Sequence, residues 1–334
     1  MNNQVVFRRL LQGLIFGVLV YIALILLGDI RQIGEQVRQF RWSFFPAVLA
    51  LTLSNYVLRF FKWHYYLKVV GVEQISLRTS ARLFVAGFPL AVTPGKIGEA
   101  LKAVWLNQIT GLPVARGVAV VLAERISDGL AVLLLSTLGV IAYPQYWPAF
   151  AFVLAALISI LVISQIRPLA LSLLSFGARL PILGHFTGPL REFYEGSYSL
   201  FKPTTTFIAV GIGFVSWLGE GLGMYLILLG LGIPPGWENA SLAIFTLSFS
   251  TVIGAASALP GGLGAAEASI TAMLSLLVGM NREAASTATL LIRFATLWFG
   301  VLLGLAVWLA SRQFLGLATP PNKRKEADES PAAS

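Results

Sequence analysis

The sequence predicts an all-α polytopic membrane protein: an inverted repeat with about six full transmembrane helices and two re-entrant helical hairpins. Three observations lead to this fold class. Of 334 residues, 24 are basic and 15 acidic, which makes 12% charged, against roughly 25% in a soluble domain. Uncharged stretches recur at the length of roughly 20 residues that a helix needs to cross a bilayer. Two further apolar regions are broken by Pro-Gly segments at corresponding places in the two halves.

The missing residue types exclude several kinds of chemistry. There is no cysteine, which excludes disulfides, thiolate nucleophiles and iron–sulfur clusters. The two histidines, His64 and His185, lie far apart in the sequence, so neither a His-rich metal site nor a Ser-His-Asp triad is supported. No GxxxxGK[ST] phosphate loop occurs. We therefore predict no metal and no cofactor, and we expect any energy to come from gradients or downhill exchange.

The predicted full spans divide the chain into two similar parts. They lie at residues 10–28, 43–67, 117–144, 147–166, 204–233 and 284–310. The first span lacks a small-residue cleavage site, so we interpret it as a retained anchor and not a signal peptide. We predict a single integral membrane domain at 1–318 and a disordered cytoplasmic tail at 319–334. Within the domain, repeat 1 covers residues 43–144 and repeat 2 covers residues 204–311, both approximately. Residues 145–203 connect the repeats and contain a linker span and a cytoplasmic segment.

The basic residues indicate the orientation. With a cytoplasmic N-terminus, 16 lysines and arginines fall on the inner side and four on the outer side. The positive-inside rule then predicts that both termini lie in the cytoplasm. We expect the protein to lie in the cytoplasmic (inner) membrane. The inner set includes Arg59 and Lys62, which lie in an aromatic run at 59–66 that we interpret as an interfacial belt. Because topology accounts for the net charge of +9, we expect no nucleic-acid partner.

The two broken regions run from 79 to 110 and from 240 to 279. The arms of the first region have about 13 to 15 residues, or about 20 Å of helix, which is too short to cross. Proline removes a backbone donor and glycine permits a tight reversal. Both regions are therefore predicted to be re-entrant hairpins whose tips are buried in protein or face water. The predicted tip residues are Pro94, Gly95 and Gly98 in the first region and Pro260, Gly261, Gly262 and Gly264 in the second.

The breaks also define an internal repeat. Pro94 and Pro260 are 166 residues apart, and the flanking spans repeat at offsets of 161 and 167. Under the charge assignment, the first hairpin enters from the cytoplasm and the second from outside, so the repeats are inverted. Paired broken helices in inverted halves indicate a transport site near the bilayer midplane. The alternative, that the Pro-Gly breaks are kinks in a structural bundle, stays open.

Ionisable residues inside these segments mark either a site or a buried pair. We expect the substrate to present an anionic phosphate group. The residues predicted to form its binding site are Lys96, Glu99, Arg125, Glu267 and Arg293. Glu99 and Glu267 would orient the tips, and Arg125 can pair with Glu99. The candidates for charge balance or a proton relay are Glu124, Asp128 and Glu220, of which the first two share a helix face. The alternative, that these charged side chains pair only with one another and bind no substrate, stays open.

Three motifs carry a family resemblance: P-G-K-I-G-E at 94–99, E-R-I-S-D at 124–128 and P-G-G-L-G-A-A-E at 260–267. Over about residues 10–310, the sequence resembles the lysylphosphatidylglycerol synthase transmembrane region family, which are flippase-like integral membrane proteins. The larger members of that family carry a cytosolic aminoacyl-transferase domain. Only 24 residues follow position 310, so we expect a short form without that domain and no lysyl transfer.

The resemblance implies a function in lipid transport without enzymatic activity. We expect flipping of an anionic or zwitterionic phospholipid, or a lipid-linked headgroup, across the cytoplasmic membrane through a polar midplane cavity. The expected partner is a membrane lipid substrate, and a lipid-synthesis enzyme of the cytoplasm or membrane is a second candidate. Two alternatives stay open. One is a membrane enzyme that modifies lipids or lipid-linked sugars with Glu124 and Asp128 as catalytic acids; the other is an accessory subunit that recruits a lipid synthase through residues 167–202.

Overall fold

The computed structural model describes residues 30–93, 98–142, 147–168 and 187–311, with isolated positions at 12, 15, 17, 19 and 172. Most of the first predicted span lies outside the described residues, as do the tail and the tip residues Pro94, Gly95 and Lys96. The described residues form helices and turns and contain no β-strand, which confirms the all-α class. The helices are α1 (Ile30–Gln39), α2 (Phe45–Val69), α3 (Leu77–Ala86), α4 (Leu101–Thr110), α5 (Val114–Ala142), α6 (Trp147–Gln165), α7 (Thr187–Leu200), α8 (Pro203–Gly230), α9 (Trp237–Ala256), α10 (Ala265–Leu277), α11 (Arg282–Arg293) and α12 (Phe299–Ala310).

Several of these helices have the length and composition of membrane spans. Within the described part, four segments qualify, at Trp42–Val69, Pro203–Gly230, Trp237–Ala256 and Arg282–Ala310. The last one joins α11 and α12 through a π-helical segment, Phe294–Trp298. Large apolar side chains such as Phe152 and Phe207 are 76% and 82% exposed, and such apolar surface is stable in contact with lipid. The chain is a multi-pass membrane protein.

The two broken regions differ in their helices. In the first region, α3 and α4 have 10 residues each, about 15 Å of helix, and match the predicted short arms. In the second region, α9 has 20 residues and is long and apolar enough to cross the bilayer alone, although the Pro-Gly break predicts a short hairpin arm there. The re-entrant form of both regions and the inversion of the repeats stay predictions.

The second break lies inside the bundle against the turn that precedes the first break. A 3₁₀ turn at Phe88–Val92 precedes the first break, and a second turn at Pro260–Gly262 contacts it. A Cβ atom on Gly261 would lie 3.3 Å from Cγ1 of Val92. Gly261 and Gly262 have φ values of 62° and 67°, a left-handed conformation that favours glycine. A tight turn is therefore present at the break that the sequence predicted at Pro260, and it lies against the other half of the chain.

The interpretation of residues 59–66 as an interfacial belt is wrong. Lys62, Trp63 and Tyr66 are almost fully buried, because this face of α2 packs inside the bundle and not at the membrane surface. The Tyr66 hydroxyl donates to the carbonyl oxygen of Ala123 on α5 at 3.4 Å. Removing Arg59 and Lys62 from the inner set leaves fourteen basic residues against four, so the predicted orientation keeps its support.

Helix α8 lies at the centre of the described bundle, where it packs along α2 and also contacts α5, α9 and α11. Glycines permit these close approaches. A Cβ atom on Gly221 would lie 3.0 Å from the Ile244 side chain of α9, and one on Gly213 would lie 3.1 Å from Ala131 of α5. This packing brings residues from the beginning, middle and end of the chain to one cavity.

Candidate functional site

The helices α2, α5, α8 and α11 and both breaks enclose a cavity of about 150 Å³. Part of its wall is apolar, with Phe84, Phe88 and Leu247. The polar part is rich in charge, although charged side chains are costly inside a membrane and are retained there only when they are paired or functional. The charged residues that line the cavity are Arg59, Glu99, Lys102, Glu124, Arg125, Glu220 and Arg293.

Glu124 is the shared acceptor of the largest ion-pair cluster. Its carboxylate accepts from Nη2 of Arg59 at 3.3 Å, from Nζ of Lys102 at 2.9 Å and from Nη2 of Arg125 at 3.1 Å. These three cations come from α2, α4 and α5, so one carboxylate joins three elements of the first half. Glu124 is fully buried, and a carboxylate in that position needs such partners to remain charged.

Asp128, one turn further along α5, continues the same cluster. Its carboxylate lies 2.5 Å from Nζ of Lys62 and 3.3 Å from Nη2 of Arg59. The Lys62 ammonium also donates to the Ser127 hydroxyl at 3.1 Å. The prediction that Glu124 and Asp128 share a helix face is confirmed, because Arg59 reaches both carboxylates from α2.

Arg125 links this cluster to the first break. Its Nε lies 3.3 Å from Oε2 of Glu99, which confirms the pairing suggested from the sequence. Glu99 follows the first break directly and precedes α4. The break itself is closed by Thr93, whose hydroxyl oxygen accepts from the N–H of Gly98 at 2.9 Å and donates to the Leu90 carbonyl at 2.6 Å. These two hydrogen bonds connect the described residues on either side of the first break.

The second break has its own ion pair, between Glu267 and Arg293. Oε1 of Glu267 accepts from Nε of Arg293, and Oε2 accepts from the N–H of Gly264, both at 2.6 Å. The second bond caps the N-terminus of α10. Arg293 also donates from Nη2 to the Gly261 carbonyl at 3.1 Å. Glu267 and Arg293 together fix the second tip, and Arg293 lines the cavity as well.

The cations divide into sealed and accessible groups. Lys62 and Lys102 are buried, and the Lys102 ammonium lies 4.5 Å from the centroid of the Trp63 ring. The side chains of Arg59, Arg125 and Arg293 keep 12%, 28% and 14% of their surface exposed. Lys102 also lines the cavity, but its side chain is only 4% exposed, so the three arginines are the more accessible cations of the wall.

Three donors in this wall form no hydrogen bond with another described residue: Nε of Arg59, Nε of Arg125 and Nε1 of Trp217. Nε of Arg125 faces Glu99 in the ion pair described above, whereas the ion pairs of Arg59 are formed by its Nη2. The Arg59 guanidinium carbon lies 5.7 Å from the Trp217 ring centroid, so the donors of Arg59 and Trp217 belong to one part of the wall. Buried donors without a partner are unfavourable unless water or a ligand satisfies them. The cavity is thus prepared for a molecule that accepts hydrogen bonds.

Glu220 is the exception among the acids. It lies in the middle of α8, is 4% exposed and lines the cavity. Glu99, Glu124, Asp128 and Glu267 each pair with a cation, whereas the Glu220 carboxylate forms no ion pair or hydrogen bond with another described residue. The three residues predicted for charge balance or a proton relay therefore lie in two different environments.

Sequence reasoning placed Glu99, Arg125 and Arg293 at the cavity, but it did not identify every residue that forms the site. Arg59 and Lys62 were assigned to the membrane interface, although their spacing on one helix face within a predicted span was the available signal. Tyr56 and Trp217 also line the cavity, and single aromatic residues in apolar spans give no such signal. In the described ranges, no group of three His, Asp or Glu side chains is arranged to hold a metal ion.

Comparison with known proteins agrees with this architecture. The profile of the family described as "Lysylphosphatidylglycerol synthase TM region" matches residues 14–304. A UPF0104 membrane protein of Methanothermobacter thermautotrophicus is 24% identical over 307 residues, which cover 86% of this chain and 89% of the relative. The UPF0104 membrane protein PH1989 of Pyrococcus horikoshii is 25% identical over 281 residues, or 76% and 83% of the two chains. The profile covers all three motifs and the helices that build the cavity, and the chain therefore belongs to the lysylphosphatidylglycerol synthase transmembrane region family.

Proposed function

We propose that the protein translocates an anionic or zwitterionic phospholipid, or a lipid-linked headgroup, across the cytoplasmic membrane through this cavity. One observation carries the proposal. Three accessible arginines from different parts of the chain, Arg59, Arg125 and Arg293, face one cavity where the second break packs against the turn before the first break. Broken helices that meet inside a membrane bundle are the usual framework of a transport site.

The chemistry of the wall fits a phosphate group. Guanidinium groups bind phosphate oxygens through paired N–H donors, more specifically than an ammonium does. Each of the three arginines is held in place by a carboxylate, so the donors are already oriented before a ligand arrives. The unpartnered donors of Arg59 and Trp217 are available to additional acceptors.

The size of the cavity fits a headgroup and not a complete lipid. Its volume of about 150 Å³ is below the roughly 300–1,000 Å³ of pockets that enclose drug-sized molecules. Acyl chains would remain in the bilayer, along the exposed apolar faces of helices such as α6 and α8. In this proposal both termini are cytoplasmic, the two halves form an inverted repeat, and the cavity opens to either side in turn.

The alternatives have less support. Glu124 and Asp128 accept hydrogen bonds from cations on several sides, which suits permanent acceptors and not catalytic acids that must release a proton. Helix α7, within the segment considered for recruiting a synthase, packs against α5 of the same chain and pairs Glu192 with Arg116. We therefore propose a transport role and no lysyl transfer.

The experiment is a lipid-scrambling assay in proteoliposomes that contain a fluorescent phosphatidylglycerol, with a membrane-impermeant quencher added outside. We expect Arg125→Ala to reduce the quenching of inner-leaflet probe to the level of protein-free vesicles. The matched control is Arg116→Ala, which removes an arginine from the same helix whose side chain pairs with Glu192 outside the cavity. The control should scramble lipid at the wild-type rate.

Two results would contradict the proposal. Unchanged scrambling by Arg125→Ala, in protein that elutes as a single folded species in detergent, would remove Arg125 from the site. Conversion of a labelled lipid into a new product in detergent micelles, where translocation has no meaning, would favour the enzyme hypothesis. Both measurements use the same purified full-length protein.

A further inference from the structure

We propose that Glu220 takes up a proton when the cavity binds an anionic headgroup, so that binding and transport of the headgroup are proton-linked. The inference rests on the proposed function and adds that movement of the headgroup is coupled to uptake of a proton. It singles out one acid from the three that the sequence left as equivalent candidates.

The charge balance of the cluster is the first argument. Among the described residues, five cations are paired in or beside the cavity: Arg59, Lys62, Lys102, Arg125 and Arg293. Their partners are four carboxylates: Glu99, Glu124, Asp128 and Glu267. The paired set thus carries one surplus positive charge, and an ionised Glu220 neutralises it. A bound phosphodiester carries one negative charge and neutralises the same surplus.

The surroundings of Glu220 give the second argument. The charges that act on it are Arg59 from α2 and Arg293 from α11, which attract it, and Asp128 from α5, which repels it. None of them contacts its carboxylate. The nearby hydroxyl groups are occupied, since Tyr56 donates to the Thr296 carbonyl and Thr251 on α9 donates to the Leu247 carbonyl. Glu220 has no fixed donor that would hold it in its ionised form.

The consequence follows from electrostatics in a medium of low dielectric constant. If Glu220 and the phosphate were both ionised, the site would hold six negative charges against five positive ones, and the two anions would repel each other strongly. The headgroup phosphate cannot lose its charge, whereas the Glu220 carboxylate can accept a proton from water. Binding of the anion therefore favours the protonated acid, and by linkage protonation favours binding. Glu124 and Asp128 do not behave in this way, because bound cations hold their charge.

The experiment measures binding of dihexanoyl phosphatidylglycerol to the purified full-length protein in maltoside micelles by calorimetry. Its phosphodiester keeps one negative charge across the range, unlike a phosphomonoester, whose second proton leaves near about pH 6. We expect the affinity of wild-type protein to fall at least about tenfold between about pH 5 and about pH 8, since one proton can change binding up to about tenfold per pH unit. Titrations in buffers of different ionisation enthalpy should show proton uptake on binding.

The Glu220→Gln variant should bind at pH 8 as tightly as the wild type at pH 5, with less than twofold variation across the range. Glu220→Ala serves as a second neutral variant, and Glu220→Asp should restore the pH dependence. His64→Gln and His185→Gln are controls that should leave the pH dependence of binding unchanged. Wild-type dependence in Glu220→Gln, or binding without proton uptake, overturns the coupling and leaves the headgroup site standing. Absence of binding by the wild type at every pH overturns the proposed function itself.

Discussion

The Lys102 ammonium and the Glu124 carboxylate form a 2.9 Å ion pair on the sealed side of the cavity, with the ring of Trp63 beside the ammonium. The pair joins α4, which follows the first break, to the middle of α5. Because Glu124 also binds Arg59 and Arg125, the same carboxylate supports the accessible side of the cavity. We therefore expect stability and the proposed headgroup binding to depend on overlapping but separable contacts, which variants can distinguish.

Removal of the Glu124 charge should be the most destabilising change in this cluster. Glu124→Gln leaves buried cations without their shared counter-charge, and a broken buried pair costs about 3–5 kcal/mol. The free energy of unfolding in detergent measures the effect. Glu192→Gln is the matched control, because Glu192 forms a partly exposed pair with Arg116 and such pairs contribute about 0–1 kcal/mol. Equal losses in the two variants would contradict the role of Glu124.

Replacement of Arg59 by lysine should preserve the fold and reduce scrambling by roughly tenfold, the equivalent of one charge-assisted hydrogen bond. Lysine keeps the charge but cannot bridge both Glu124 and Asp128 beside the Trp217 ring, as the guanidinium does. Arg167→Lys is the control, since Arg167 also pairs with an acid, Glu195, and lies over an aromatic ring, but on the surface. Full scrambling by Arg59→Lys would show that only the charge matters.

The second tip should behave as a coupled pair. Glu267→Gln keeps an acceptor for the Gly264 N–H but leaves Arg293 without a counter-charge, and we expect a loss of about 3 kcal/mol in unfolding free energy. The double variant Glu267→Gln with Arg293→Gln should lose less than the sum of the single losses, by at least about 1 kcal/mol. Additive losses would mean that the 2.6 Å contact contributes nothing to stability.

The contact between α12 and the turn before the first break should tolerate no side chain at Gly304. A Cβ atom there would overlap the Pro89 ring and lie 2.8 Å from the Val85 carbonyl oxygen. We expect Gly304→Ala to lower the unfolding free energy by about 1–3 kcal/mol. Gly211→Ala is the control, because no atom lies within 4 Å of its added Cβ and alanine favours helix. A thermal melt in detergent compares the two variants, and equal melting temperatures would contradict the packing argument.

Composition and span length were sufficient to predict an all-α membrane protein with several spans, because the bilayer imposes both. They did not reveal the full length of α9. The sequence analysis counted the second broken region from residue 240, whereas α9 begins at Trp237 and includes Glu238. Both residues are exposed, as expected for a helix end at an interface, where tryptophan is common and a charge reaches water. The three additional residues bring the helix to the length of a span.

The candidate site was predictable only where its chemistry was local. Glu124 and Asp128 are four residues apart, so their common face followed from helix geometry. The roles of Arg59 and Lys62 depended on where the α5 carboxylates lie, about 65 residues further along the chain, and no local pattern contains that information. The isolation of Glu220 was equally hidden, because the absence of a partner is a property of the packed bundle.

The π-helical segment Phe294–Trp298 restricts how the length of this part of the chain can change. It directly follows Arg293, and the Tyr56 hydroxyl donates to its Thr296 carbonyl at 2.7 Å. A π turn accommodates one residue more than an α turn. Deleting one residue here would therefore restore a regular α-helix and leave Gly300 and Gly304 facing Tyr56 and Pro89, whereas a deletion within α11 or α12 would rotate all that follows by about 100°. In related sequences, a change in length by one residue should therefore occur in this segment and not in the helices on either side of it.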